Sequence, residues 1–158
     1  MLSTMKPVIV FAPGAWHPAN TFDNLAALLA TDGYESQTIA FPAIHRTIKI
    51  KEPSLALEIA AARGVIEPLV EAGRQVVLVM HSWGGVPGNS ALEGLTVRER
   101  KALGKAGGVR HLVFMAAFVA RIGQSVSDLS GPLPWLTIDV CQCFSAPLFF
   151  GFRVGWFI

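Results

Sequence analysis

Four short runs of β-branched and aliphatic residues punctuate the chain, at 7–12 (PVIVFA), 34–40 (YESQTIA), 75–80 (QVVLVM) and 109–116 (VRHLVFMA). The first, third and fourth are nearly continuous in apolar residues, which predicts strands buried on both faces. Helical patterns fill the intervals. Over about 20–31, Phe22, Leu25, Ala26 and Leu29 share one face, Asn20 or Thr21 can cap the start, and Asp32-Gly33 stops the run. A second helix is expected over about 54–72, opening at Ser54 after Pro53 and ending at Gly73, with Pro68 as a kink-forming position inside it. A third opens at Gly84 and continues through "SALEGL" (90–95), and "TVRERKAL" (96–103) predicts a short, charged surface helix.

Strands and helices alternating in this way predict an α/β fold, with a parallel sheet of about four strands flanked by helices. Ligands of such sheets bind beyond the carboxyl ends of the strands, where the strand order reverses. The order 2-1-3-4 would make 7–12 and 75–80 neighbours and place the reversal between them.

Composition narrows the partners. At 158 residues one domain is expected; the chain is 52% hydrophobic, 15% charged and carries a net charge of +2 with scattered basic residues, so nothing points to nucleic acid. The opening "MLSTMKPVIVFAPGAW" superficially resembles a leader, but its apolar run is β-branched and bounded by Pro7 and Pro13. It reads as a first strand in a cytoplasmic protein. Residues 1–139 form the expected domain, and 140–158 an atypical apolar tail. The stretch 144–158 is shorter than the roughly 20 residues of a spanning helix and contains Pro147 and Arg153, so a tail anchor is a weak alternative to an aberrant terminus. Cys141 and Cys143, one residue apart, suit neither a structural disulfide nor zinc, and no metal or other cofactor is expected.

Two motifs fall at strand carboxyl ends. Met80-His81-Ser82-Trp83-Gly84-Gly85 approximates the G-x-S-x-G elbow, in which a serine occupies a strained strand-to-helix turn. Gly84 supplies one glycine of that pattern, and Met80 replaces the other. Ser82 could instead merely cap the third helix. The second motif, "FAPGAWHP" (11–18), could be an ordinary turn at Pro13-Gly14. Taken with the elbow it offers more: acyl transfer needs backbone N–H groups aimed at a tetrahedral oxyanion, and Trp83 and Ala15 are the natural donors. No G-x-G-x-x-G follows the first strand and no Lys-Ser or Lys-Thr ends a phosphate loop, which excludes a nucleotide site of either kind.

"PVIVFAPGAWHPANTFDNLAALLATDGY", "VVLVMHSWGG", "GGVRHLVFMAAFV" and "GPLPWL" together resemble the α/β-hydrolase superfamily, over roughly residues 6–138. More narrowly the chain is similar to small esterase-like hydrolases of the methyl esterase and hydroxynitrile lyase group, particularly their fungal relatives. The resemblance implies Ser82 as nucleophile, Ala15 and Trp83 as oxyanion donors, and a small carboxylic ester as substrate. Gly14, Trp16, His17 and His81 are the expected substrate-side residues, His81 as an elbow residue distinct from the base and His17 as a loop histidine.

A serine hydrolase also needs a histidine base oriented by a carboxylate, in the chain order Ser, Asp or Glu, His. After Ser82 the only histidine is His111, at the start of an expected buried strand, and the later aspartates are Asp128 and Asp139. His45 lies in the polar loop 41–53, and strand alternation is expected to point His81 away from Ser82. The residues present therefore read as the nucleophile half of a truncated serine hydrolase. The alternatives are a non-catalytic ligand-binding pseudo-hydrolase and a hydroxynitrile-lyase-like enzyme, which would usually need later residues, a lysine among them.

Overall fold

The computed structural model describes residues 5–44 and 54–131. His45, Asp139, Cys141, Cys143 and the apolar tail 140–158 lie outside them. Four strands, β1 (Val8–Ala12), β2 (Ser36–Thr38), β3 (Gln75–His81) and β4 (Gly108–Met115), form one sheet in the order β2-β1-β3-β4, every neighbouring pair parallel. This is the architecture expected from the sequence. The order reverses between β1 and β3, where Ala12 lies opposite Met80.

Strand alternation sorts the core into two layers. Val8, Val10 and Ala12 of β1 join Val76, Leu78 and Met80 of β3 on one face, against Ala62, Ile66 and Val70 of α2 (Leu55–Glu71) and the segment following α3 (Gly85–Ser90). Ile9, Phe11 and Val79 face the other way, toward Phe22 and toward Ala26 and Leu29 of α1 (Asp23–Thr31). Phe11 stacks on Phe22 with ring centroids 4.7 Å apart. Helix α2 starts as expected, with the Ser54 hydroxyl accepting from the Leu57 N–H, and the chain leaves it through Gly73 in the left-handed region.

Several expectations are corrected. Leu25 of α1 is 37% exposed, because Phe22, Ala26 and Leu29 already fill the narrow contact with the sheet. Neither Asn20 nor Thr21 caps α1; Ala19–Phe22 is a 3-10 turn that leads directly into it, and the Thr21 hydroxyl donates back to the Pro18 carbonyl. Helix α3 stops at Ser90 instead of running through residue 95, and Gly94 in the remaining stretch takes a positive φ that no α-helix contains. Helix α4 (Val97–Ala102) is capped by a reciprocal Thr96–Glu99 box, yet its Arg100 is only 3% exposed. The guanidinium donates to the Val70 and Ala106 carbonyls and pairs with Glu71 at 2.7 Å.

The largest departure is β4. Gly108 and Val109 are buried, but His111 through Met115 are exposed, because β4 is the sheet edge among the described residues and no described helix covers its later half. A register shift between Val76 and Val77, with Val109 and His111 as their partners, accommodates Arg110 as an extra residue. His111 is consequently an exposed edge-strand residue and not a core one.

Candidate active site

Parallel strands bring the ends of β1 and β3 to one rim, and the Ala12–Met80 register sets Pro13 and the segment from His81 side by side. Ser82 follows β3 directly with φ +50, a left-handed conformation that costs a non-glycine residue on the order of 1–3 kcal/mol. The turn over Ser82–Gly84 then feeds α3 without a linker. The expected strained strand-to-helix turn is present.

Two glycines permit it. A Cβ on Gly84 would stand 2.3 Å from the Ala12 carbonyl oxygen and 2.5 Å from that of Pro13, so the elbow backbone passes directly beneath the end of β1. A Cβ on Gly85 would meet the Phe118 carbonyl oxygen at 2.2 Å. Phe118 also donates its N–H to the Ser82 carbonyl at 3.1 Å, so the segment after β4 holds the elbow from the far side. That segment contains Ala116 at φ +43, another strained residue. The sequence places Ala116 at the end of the run 109–116 and carries no sign of the clamp by Phe118 beyond the small pair Ala116-Ala117.

Met80, standing where the elbow pattern has a glycine, is fully buried in the core. Room for it comes from α3: a Cβ on Gly88 would lie 3.1 Å from both Cγ and Sδ of Met80. Gly84 and Gly88 are four residues apart, so one helical face is kept bare, first for the β1 backbone and then for the methionine.

The loop after β1 closes the site. The His17 N–H donates to the Gly14 carbonyl at 3.2 Å, making a turn with Trp16 at φ +64, and the His17 Nδ1 donates to the Ala15 carbonyl at 2.8 Å. Gly14 is the junction of the two motifs. A Cβ there would stand 2.9 Å from His81 Nδ1, 3.0 Å from Ser82 Cβ and 3.3 Å from His17 Nδ1. The two imidazoles meet edge to face, with centroids 5.2 Å apart. His81 therefore does not take the opposite side from Ser82. The left-handed turn at Ser82 ends the strand alternation, and both side chains border the same glycine. Trp16 is 59% exposed beside this junction.

Among the described residues no histidine hydrogen-bonds the Ser82 hydroxyl, and the His17 Nδ1 is committed to Ala15. Asp128 accepts from the N–H and hydroxyl of Ser125, both at 2.7 Å, at the start of α5 (Val126–Ser130); the Ser125 N–H, then its hydroxyl, holds the carboxyl below its ordinary range. It is spent as a cap. Glu58 of α2 is the one buried acid among the described residues. One oxygen accepts the Ala43 N–H at 2.8 Å, the other has no partner among the described residues, and burial raises its pKa against the opposing pull of that bond. No group of three or more His, Cys, Asp or Glu among the described residues could hold a metal ion. No described helix is long and apolar enough to cross a membrane.

Residues 9–157 match the family model described as "Alpha/beta hydrolase family". The chain is 29% identical over 126 residues to "Probable hydrolase R7" of Phoma sp., covering 80% of this chain and 48% of that protein. It is 30% identical over 129 residues to "Alpha/beta hydrolase nvfD" of Aspergillus novofumigatus, covering 81% and 50%. Among solved structures, an extracellular alpha/beta-hydrolase from a Paenibacillus species superposes with a TM-score of 0.62 at 23% identity, over 78% of this chain and 46% of that one. The chain thus spans about half the length of the curated relatives it matches.

Proposed function

Because this chain belongs to the alpha/beta hydrolase family, we propose that it carries the nucleophile half of a serine hydrolase for small carboxylic esters. The observation that carries the reading is the meeting of two strained turns on Gly14: Ser82 at φ +50 from β3 and Trp16 at φ +64 from the loop after β1. Strain of this kind clusters where a site must be held in one geometry.

In the proposed reaction the Ser82 Oγ attacks the ester carbonyl carbon and its proton passes to a histidine base. The carbonyl oxygen gains negative charge and is received by the N–H groups of Ala15 and Trp83. Collapse of the tetrahedral species breaks the bond to the alcohol oxygen, which leaves with the proton from the base. Water then attacks the acyl-serine by the same route and releases the acid. Gly14, Trp16, His17 and His81 border the space where the substrate would lie.

The base and its orienting acid follow the serine in this family. Here the only later histidine, His111, is exposed on β4, and Asp128 is a helix cap. We take both groups to come from outside these 158 residues, in a protein of its relatives' length. A ligand-binding role without turnover is the second reading, favoured by the absence of a base on the Ser82 hydroxyl among the described residues.

The test is incubation of a chain extended to the length of its relatives, so that base and acid are present, with an alkyl fluorophosphonate, followed by intact mass measurement and peptide mapping. The expected adduct is on Ser82 and is lost in Ser82→Ala. An adduct on another residue, or one that survives Ser82→Ala, overturns the assignment.

A further inference from the structure

We propose that His17 is a positioning residue that sets the direction of the Ala15 N–H, an inference that rests on reading Ala15 as an oxyanion donor. A carbonyl oxygen can only accept, so the 2.8 Å contact between His17 Nδ1 and the Ala15 oxygen fixes the neutral ring as the Nδ1–H tautomer. The main-chain N–H of the same residue holds the Gly14 carbonyl at 3.2 Å.

His17 therefore grips both peptide groups that flank Ala15. The Gly14–Ala15 peptide is planar and trans, so a Gly14 carbonyl drawn into the turn sends the Ala15 N–H out of it. The Ala15–Trp16 peptide is held through its own carbonyl by the imidazole. Such a restraint has something to oppose: Trp16 sits at φ +64, which its Cβ disfavours. The ring is itself steadied by the His81 edge contact, at an interplanar angle of 89°. The role assigned is thus orientation of a backbone donor, with no proton transfer by His17.

Two variants separate this role from simple packing. In His17→Asn the amide nitrogen stands where Nδ1 stood and can still donate to the Ala15 carbonyl. In His17→Gln it stands at the Nε2 position and cannot. The full 158-residue chain, labelled with 15N-histidine, is read by long-range 1H–15N spectra in alkaline buffer. His17 is expected as the Nδ1–H tautomer, and an Nε2–H tautomer overturns the proposal.

The Ala15 and Trp16 amide resonances should stay near wild type in His17→Asn and move in His17→Gln. In the chain extended to its relatives' length, fluorophosphonate labelling of Ser82 should slow roughly fivefold in His17→Gln, the effect of about one neutral hydrogen bond, and less than twofold in His17→Asn. Equal behaviour of the two variants overturns the proposal. Absence of labelling in the extended wild-type chain counts against the Ser82 reading instead, and the tautomer and amide resonances still decide His17.

Discussion

Replacing Gly84 by alanine tests the close passage of the elbow beneath β1. The added Cβ would lie 2.3 Å from the Ala12 carbonyl oxygen, 2.5 Å from that of Pro13 and 2.8 Å from the Ala12 carbonyl carbon. All three are backbone atoms of a buried strand end, so no rotamer change relieves the clash. Overpacking of this kind costs about 1–3 kcal/mol, and the upper end applies because the sheet itself must move. Gly84 has φ −56, so alanine fits its backbone and recovers up to about 1 kcal/mol of chain entropy. The net expectation is a destabilisation of about 2 kcal/mol. Gly64 in α2 is the control, because a Cβ there meets nothing within 4 Å; Gly64→Ala should stabilise by roughly 0.5–1 kcal/mol. Urea unfolding at constant slope reads both changes as shifts of the midpoint in opposite directions. If Gly84→Ala shifts the midpoint as Gly64→Ala does, the elbow does not pass beneath β1 and the site geometry is wrong.

Arg100→Met should cost about 3 kcal/mol in the same assay, since the Val70 and Ala106 carbonyls lose a buried charged donor that methionine cannot replace. Glu58 offers a pH signature. Its folded pKa is raised from the ordinary 4.5 chiefly by burial, so the folded state holds the proton more tightly and stability falls as pH rises from 4.5 to the raised value. Glu58→Gln keeps an acceptor for the Ala43 N–H and should remove that fall; parallel pH profiles of variant and wild type would refute it. Glu71, Glu99 and Asp128 have lowered values, so their contributions appear as pH rises toward their ordinary values and saturate there, in a separate window. Met80→Ala should cost roughly 2–5 kcal/mol, as for any fully buried methionine, and a Gly88→Ala change should be better tolerated in that background than alone.

The sheet was legible because β1 and β3 write their burial into continuous apolar runs, and the two motifs fall directly at their ends. β4 carries an equally apolar run, yet burial depends on what covers a strand, and that information lies in other parts of the chain. The third helix is shorter than its pattern because the sequence stays periodic past Ser90 while Gly94 leaves helical φ. Arg100 hides inside a charged run because its long side chain can leave the helix surface for carbonyls that lie 30 and 6 residues away in sequence. The substitution of Met80 for glycine looked like a defect in the elbow. Gly88 absorbs it, and a third glycine four residues after Gly84 was the available sign. The Phe118 clamp on Ser82 had no sequence signal of comparable strength, since it acts through a main-chain N–H that every non-proline residue possesses.

The most direct test of the central claim is turnover of a short-chain aryl ester by the 158-residue protein and by a chain extended to the length of its relatives, each beside its Ser82→Ala variant. Ser82 is proposed as the nucleophile, with base and acid supplied from outside these residues. The short protein and its Ser82→Ala variant should share the same background, because loss of the base removes most of the rate. The extended chain should turn over the ester and lose that activity in Ser82→Ala. Robust Ser82-dependent turnover by the short protein would place a base within it, and turnover by the extended chain that survives Ser82→Ala would remove Ser82 from the chemistry.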